Sequence, residues 1–138
     1  MAAMVSQLKP GIAGKADLIV AEEHTAPRVG SGRVHVLATP VMINLIEAAA
    51  LAAIEHLLPE GYQSLGTLHD VRHIAATPVG LRVIASAEVI AVEGRLVRFR
   101  VEAHDEKERI GDGTHERVVV NVDRFDRRVQ EKIGSRGA

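Results

Sequence analysis

Hydrophobic residues recur with two different periods along this chain, and the change of period separates one helix from a set of strands. Over residues 41–58 the apolar positions cover nearly the whole circumference of a helix, which is typical of a helix buried on most sides. Thr39 and Pro40 open this helix, because a Thr side chain can cap a free N–H and Pro suits the first helical position. Pro59 and Gly61 end it.

After the helix the hydrophobic period changes to two, which predicts β-strands. The alternating segments are residues 64–77, 81–91, 97–104 and 113–122, and a short apolar run predicts an earlier strand within 11–23. In the last segment Val118, Val120 and Val122 are expected to point inward. The loop-forming composition of residues 24–36 predicts a loop, and the charged tail 123–138 is expected to be a short helix or a frayed end.

Short turns join most of these strands, so neighbouring strands are expected to be antiparallel. One helix and one small sheet pack most economically as an α+β fold, with a curved antiparallel sheet wrapped around the helix. The length of 138 residues fits a single domain spanning residues 1–138. A single small sheet leaves its edges uncovered, which favours a dimer.

Composition excludes several classes of function. The chain is 46% hydrophobic and 25% charged, which is the balance of a soluble globular protein. Its net charge of -1 lacks the excess of positive charge that general binding to nucleic acid or anionic membranes requires. It has no Cys, which excludes disulfides, thiolate metal sites and a Cys nucleophile. Aromatic residues make up only 2%, which disfavours stacking platforms for bases or sugars.

The sequence pattern predicts neither a signal peptide nor a membrane-spanning segment. Its first residues lack the charged start and long apolar run of a signal peptide. The apolar segment 41–58 is interrupted by polar residues and is shorter than the ~20 apolar residues of a membrane span. We therefore expect a cytoplasmic protein with no membrane partner.

Glu47 interrupts the apolar helix and admits two interpretations. It shares one stripe with Asn44, Leu51 and Glu55, and such a stripe commonly faces solvent. Alternatively its carboxylate is half-buried beside Asn44, where burial favours the neutral form unless a cation or hydrogen-bond donors compensate. A carboxylate of that kind suits nucleophilic or general-base work. The sequence alone leaves both interpretations open.

Two histidines, His69 and His73, lie at even spacing in one predicted strand and therefore point the same way. A His in a strand is more often an ordinary hydrogen-bonded residue than a proton carrier. A metal site made of His69, Asp70 and His73 has the spacing of a ligand pair only on a helix, so we predict no metal there.

Gly66 and Arg117 each have an ordinary and a functional interpretation. Gly66 is most simply a bulge or strand start, and Arg117 a solvated residue of the last strand. In a site, the N–H of Gly66 could stabilise an oxyanion, and Arg117 could hold an anion or a carbonyl.

Several short blocks of sequence, none of them specific alone, occur in one order along the chain. They are Ala38-Thr39 with Glu47, and the segments 64–67 (SLGT), 73–80 (HIAATPVG), 92–95 (VEGR), 103–105 (AHD) and 110–117 (IGDGTHER). Together, over roughly residues 37–130, they resemble the hot-dog-fold thioesterases, in particular the fluoroacetyl-CoA thioesterase branch. The resemblance implies a hot-dog homodimer or tetramer with active sites at the subunit interface.

The same resemblance implies the site and its chemistry. Its catalytic side chains fall on Thr39, Glu47 and His73. The glycine whose N–H contacts the acyl group falls on Gly66, and the arginine that lines the pocket falls on Arg117. The implied activity is hydrolysis of a short acyl-CoA, α-substituted or not, to the free acid and CoA. No metal or cofactor is implied, since CoA is part of the substrate.

The chain departs from that branch in the lid. The branch that selects fluoroacetyl groups carries a Phe-bearing lid, whereas residues 28–36 contain no aromatic residue. We therefore expect thioester hydrolysis and leave fluoroacetyl selectivity unassigned. A non-catalytic acyl-CoA or small-ligand binding protein on the same fold is the main alternative, and a hot-dog dehydratase acting on acyl thioesters is a weaker one.

Overall fold

The computed structural model describes residues 7–136, in which five antiparallel strands form one sheet. The strands are β1 (Ala13–Ile19), β2 (Tyr62–His73), β3 (Arg82–Glu93), β4 (Leu96–His104) and β5 (Arg109–Asn121). The helices are the short α1 (Ala26–Val29), the central α2 (Thr39–Ile54) and the C-terminal α3 (Val122–Arg136), and 3-10 turns span Glu22–His24 and Glu55–Leu57. The strand order is β1-β3-β4-β5-β2, so β1 and β2 are the sheet edges. The predicted α+β architecture is confirmed.

The core lies between α2 and the inner face of the sheet. Met42, Ile46 and Ala49 of the helix are completely buried, as are Val83 and Phe99 of the sheet. This burial of apolar surface is the main favourable term that holds the helix on the sheet.

The opposite face of α2, which includes Asn44 and Leu51, is exposed. The prediction of a helix buried on most sides therefore holds for one face only.

The segment Thr39–Leu57 is long and apolar enough to cross a membrane by length and composition, contrary to the expectation from the sequence. That criterion is weak support for a span, because core helices meet it as well. Here the segment packs one face against the sheet.

The inward-facing residues of β5 differ from the prediction. His115, Arg117 and Val119 are buried on the inner face, whereas Val118 and Val120 lie on the outer face beside α3. Residues 118–120 are three consecutive valines, so hydrophobicity alone could not show which of them face the core. The strand also begins at Arg109, four residues earlier than predicted.

β1 and α2 meet at Gly14, where the two backbones approach closely. A Cβ at this position would lie 2.4 Å from the backbone N of Ala53 and 2.5 Å from the backbone O of Ala49. We expect Gly14→Ala to lower the free energy of unfolding by about 3 kcal/mol, because a rigid helix must move away from the strand.

Thermal unfolding followed by circular dichroism measures this effect, and the loss corresponds to a melting temperature lower by about 10 °C. Gly134→Ala is the matched control, because open space surrounds that glycine in α3 and Ala favours a helix. Equal melting temperatures for Gly14→Ala and the native protein would contradict the close packing of β1 on α2.

Candidate active site

Thr39 is the first residue of α2, and its side chain contacts the end of β2. The helix N-cap is Ala38, which makes no side-chain cap, and Pro40 follows Thr39 within the first turn. The predicted capping role of Thr39 is therefore wrong. Thr39 is already the first helical residue, whereas a capping residue stands immediately before the helix. The hydroxyl of Thr39 instead lies 2.6 Å from Nδ1 of His73.

His73 is half-buried, and its ring has one satisfied and one unsatisfied nitrogen. Burial lowers the pKa of His73 below its ordinary value, so the ring is neutral at pH 7 and its Nδ1 accepts the hydroxyl proton of Thr39. The other nitrogen, Nε2, then carries hydrogen. Among the described side chains it is the one buried N or O atom without a hydrogen-bond partner. The backbone of Ala75 also interacts with this ring and raises its pKa, which partly opposes the effect of burial.

Glu47 lies further along α2 and faces a second group of residues. Its Oε2 is 3.1 Å from Nε2 of His69 and 3.8 Å from Nη1 of Arg117. Gly66 leaves room for the carboxylate, since a Cβ there would lie 2.5 Å from Oε2. The side chain of Glu47 is 35% exposed, so the half-buried interpretation describes it better than the fully solvated one.

Arg117 is held in one orientation beside this carboxylate. It is only 5% exposed, and it donates hydrogen bonds from Nε to Oγ of Ser64 and from Nη2 to the backbone O of Ser64. Ser64 in turn donates from Oγ to Glu55 at 2.7 Å. Burial lowers the pKa of Arg117, and the carboxylates of Glu47 and Glu55 oppose that shift. Arg117 is thus a fixed buried cation, and the solvated role expected from its sequence position is wrong.

His115 completes this group and was not predicted as a site residue. It is fully buried, donates from Nδ1 to the backbone O of Leu68 at 2.8 Å, and accepts a contact of 3.2 Å from Nη1 of Arg117 at Nε2. Its ring stacks on that of His69 with centroids 4.0 Å apart. Burial lowers the pKa of His115, which keeps the ring neutral. Its even spacing from Arg117 was the only signal in the sequence.

We refer to Glu47, Gly66, His69, His115 and Arg117 as the Glu47 cluster. The possible metal-ligating atoms of Glu47, His69 and His115 lie within 4.8 Å of one another. In the part of the chain that the structure describes, no other group of three such residues lies this close together. The set of His69, Asp70 and His73 is therefore not assembled. Even in the cluster, Arg117 occupies the free nitrogen of His115 and places a cation beside the carboxylate, which favours a hydrogen-bonded network over a metal centre.

The predicted site residues thus form two groups within one chain. Thr39 contacts His73, whereas Glu47, Gly66 and Arg117 come together with His69. Thr39 and Glu47 are eight residues apart on α2, which corresponds to about 12 Å along the helix axis. An imidazole does meet Glu47, but it belongs to His69 and not to His73.

A cleft of about 380 Å³ opens beside Thr39 and His73 under the segment that follows α1. Besides these two residues it is lined by Ala26, Ser31, Gly32, Arg33, Val34, Val36, Leu37, Ile74, Ala75 and Ala76. None of these residues is aromatic, and Arg33 is the one permanent charge among them. Backbone hydrogen bonds from Ala26 to Val36 and from Leu37 to Thr77 hold the segment in place.

The buried neutral histidines make stability depend on pH. The pKa values of His73 and His115 are lowered in the folded chain, so the unfolded chain binds more protons and the free energy of unfolding increases with pH. This stabilisation is present above the unfolded value of about 6.5 and is lost as the pH falls toward the folded values. We expect a lower melting temperature at pH 5.5 than at pH 7.5, measured by calorimetry. The difference should shrink in His73→Gln, and a flat profile would contradict the buried neutral rings.

Comparison with known proteins points to one family. The sequence profile of the fluoroacetyl-CoA-specific thioesterases, FlK, matches residues 20–123. The fluoroacetyl-CoA thioesterase of Streptantibioticus cattleyicolor is 46% identical over 97 residues, which are 70% of each chain. A solved structure of the fluoroacetyl-CoA thioesterase FlK superposes with a TM-score of 0.85 at 37% identity and covers 91% of this chain and 97% of that one.

Two further solved structures share the architecture. A Thermus thermophilus thioesterase superfamily member has a TM-score of 0.84 at 31% identity, covering 93% of this chain and 97% of that one. A hot-dog-like protein from Thermanaerovibrio acidaminovorans has a TM-score of 0.85 at 26% identity, covering 94% of this chain and 96% of that one. The α+β sheet wrapped around α2 is therefore a hot-dog fold. On the profile match over residues 20–123 and the likeness in sequence and structure, the chain belongs to the fluoroacetyl-CoA-specific thioesterase family.

Proposed function

We propose that the protein hydrolyses short acyl-CoA thioesters to the free acid and CoA. The observation that carries this proposal is the contact of 2.6 Å between the Thr39 hydroxyl and the neutral ring of His73, beside an open cleft. A hydroxyl on a neutral imidazole is a common arrangement for moving protons at a reacting centre. Membership of a thioesterase family supports the choice of substrate. The reaction needs no metal or cofactor.

Thr39, Glu47, Gly66, His73 and Arg117 each have a role in the proposed reaction, and the hydroxyl of Thr39 helps Glu47 to attack the carbonyl or to orient water. Water adds to the thioester carbonyl carbon, either directly or after Glu47 has attacked and formed an acyl-enzyme. The oxyanion that develops on the carbonyl oxygen lies against the N–H of Gly66, and the charge of Arg117 holds the acyl end of the ligand. When water adds directly, the C–S bond breaks and the proton that Glu47 takes from water passes through His73 to the sulfur of CoA. In the acyl-enzyme route the C–S bond breaks as Glu47 forms an anhydride and His73 delivers a proton to the sulfur. Water then hydrolyses the anhydride, which frees the acid and the Glu47 carboxylate and returns a proton to His73. Mass spectrometry of the protein quenched during turnover distinguishes the two routes, because only one adds an acyl group to Glu47.

A second copy of the chain is part of this proposal. β2 is a sheet edge whose Leu65 and Leu68 are 38% and 43% exposed, and the exposed face of α2 includes Leu51. An antiparallel pairing of two β2 strands covers both surfaces, and a two-fold axis there runs the two α2 helices in opposite directions. The start of one helix then lies beside the middle of the other. Thr39 and His73 of one chain would meet the Glu47 cluster of the other, in a homodimer or a tetramer.

The lid segment, residues 28–36, decides which acyl groups we expect the cleft to accept. With no aromatic residue on the cleft, nothing there discriminates a fluorine from a hydrogen by close packing, so fluoroacetyl-CoA and acetyl-CoA are expected to have kcat/KM values within about tenfold of each other. Arg33 adds a positive charge to the cleft, so acyl groups that end in a carboxylate are expected to be accepted. A panel of acetyl-, fluoroacetyl-, butyryl- and succinyl-CoA measures both expectations. A strong preference for fluoroacetyl-CoA would contradict the first.

Release of free thiol from acyl-CoA, followed with a thiol dye, tests the proposed activity directly. The protein has no Cys, so it contributes no background to the dye. The control is the Thr39→Ala/Glu47→Gln double variant. Binding of acyl-CoA by calorimetry without thiol release would favour the non-catalytic binding protein, and hydration of an enoyl-CoA would favour a dehydratase.

A further inference from the structure

His69 lies against the carboxylate of Glu47, although neither the strand pattern nor the family resemblance gave it a role. Its Nε2 is 3.1 Å from Oε2 of Glu47, and its side chain is 24% exposed. The guanidinium of Arg117 is farther from Oε2, with its Nη1 at 3.8 Å. His69 is therefore the side chain that holds this carboxylate oxygen at hydrogen-bond distance.

A β-bulge in β2 brings His69 to this position. Gly66 and His69 are three residues apart, so on a regular strand they would face opposite sides of the sheet. The register of β2 against β5 shifts between Gly66 and Leu68, which leaves one extra residue, Thr67, in β2. Beyond the shift His69 pairs with His115, and both Gly66 and His69 face Glu47.

The ring of His69 is itself fixed by its neighbours. It stacks on His115 at 4.0 Å with an angle of 9° between the ring planes. His115 is fully buried, and its two nitrogens contact the backbone O of Leu68 and the guanidinium of Arg117. Phe99 covers the ring of His115 with centroids 5.8 Å apart. A buried and fully hydrogen-bonded ring is thus the support on which His69 rests.

We infer that His69 is a positioning residue that holds the Glu47 carboxylate against Gly66, in the orientation in which it works on a thioester. This inference rests on the proposed function. A Glu side chain has three rotatable bonds and is 35% exposed here, so without a neighbour at Oε2 it would occupy several rotamers. Misplacement of a reacting group by about 1 Å can cost up to about 100-fold in rate, so the hydrogen bond acts on kcat more than on substrate binding.

Two substitutions separate positioning from other roles. His69→Ala removes the donor, and we expect kcat to fall about tenfold with KM within about twofold, in line with the loss of one oriented hydrogen bond. His69→Gln puts an amide N–H near the position of Nε2 but cannot carry a proton, and we expect its kcat to stay within about threefold of the native value. His104→Ala, an exposed His at the end of β4, is the matched control and should leave both constants unchanged.

The outcomes of these assays differ for each competing role. An unchanged kcat in His69→Ala overturns the inference. An equal loss in His69→Gln and His69→Ala also overturns it, because His69 would then move a proton rather than hold the carboxylate. Both variants could also lose total activity and melt at a lower temperature while kcat per folded molecule stays unchanged. That result would assign His69 a structural role only and overturn the inference.

A measurement that needs no turnover separates this inference from the proposed function. In two-dimensional ¹H–¹⁵N spectra of the histidine rings, native His69 is expected to show the form with hydrogen on Nε2, facing Oε2 of Glu47. Glu47→Ala should shift the ring signals of His69 and leave those of His104 in place. If no acyl-CoA is hydrolysed but this shift occurs, the proposed function fails and the contact stands. If turnover occurs without the shift, the positioning inference fails alone.

Discussion

Glu47→Gln is expected to lower kcat for acyl-CoA hydrolysis by about 1000-fold, the largest loss among single substitutions in this protein. The amide has nearly the shape of the carboxylate, so His69 and Arg117 keep a neighbour of the same size. It can neither accept a proton from water nor attack a thioester as a carboxylate does. Initial rates of thiol release at saturating acyl-CoA measure the loss.

The interpretation of this loss depends on the fold remaining intact. Glu93→Gln is the control, because Glu93 is an exposed carboxylate at the end of β3, in the turn to β4. The melting temperatures of both variants should lie close to that of the native protein. A Glu47→Gln enzyme within threefold of the native rate would remove Glu47 from the mechanism, and the proposed role of the whole Glu47 cluster with it.

Much of the fold could be predicted from residue patterns because its elements bury one face each. Val97, Phe99, Val101 and Ala103 are all fully buried, as their alternation with charged residues predicts. The same reasoning failed in β5, where His115 and Arg117 take inner positions that hydrophobicity assigns to valines. Buried polar residues become acceptable only through partners such as Ser64 and Leu68, which lie 47 or more residues away in sequence. No local pattern encodes those partners.

The candidate site was predictable in its residue types but not in its pairings. The resemblance singled out Thr39, Glu47 and His73, and the structure places all three near the helix-facing side of β2. The bulge after Gly66 turns both His69 and His73 toward the helix, because one inserted residue reverses the face of every later side chain. Their positions along β2 then decide that His69 meets Glu47 and His73 meets Thr39. The bulge that Gly66 predicts is confirmed by the register shift at this point, but the sequence does not say which side chain the bulge brings to Glu47.

Several of the matching blocks have structural roles that explain their place in the pattern. Thr77 is fully buried and donates from Oγ1 to Asp105 at 2.8 Å, which joins the end of the 73–80 block to the AHD block. Asp105 also accepts the backbone N–H groups of Lys107 and Glu108 and so shapes the β4–β5 turn. At Gly113 a Cβ would lie 2.0 Å from the backbone O of Asp70, so only glycine allows β5 to approach β2 there. A match over these blocks is therefore evidence for a shared fold as much as for a shared catalytic site.

Mixing two inactive variants is expected to restore activity if each site takes residues from two chains. Thr39→Ala and Glu47→Gln would each be nearly inactive as homodimers. In a mixed dimer one site combines the intact Thr39 and His73 of one chain with the intact Glu47 of the other, while the second site carries both defects. Random reassociation of equal amounts makes about half of the dimers mixed, so the mixture should reach about a quarter of the native rate per site.

The control for this experiment is a mixture of Thr39→Ala and His73→Ala. These two side chains belong to the same chain's pair, 2.6 Å apart, so every pair in every dimer contains one defect and no activity should return. Recovery in the first mixture and none in the second would require the Glu47 cluster to act on a ligand bound at the partner's Thr39. No recovery in either mixture, with mixed dimers verified by native mass spectrometry, would confine each site to one chain. The separation of about 12 Å between Thr39 and Glu47 along α2 would then have to be bridged by the substrate itself.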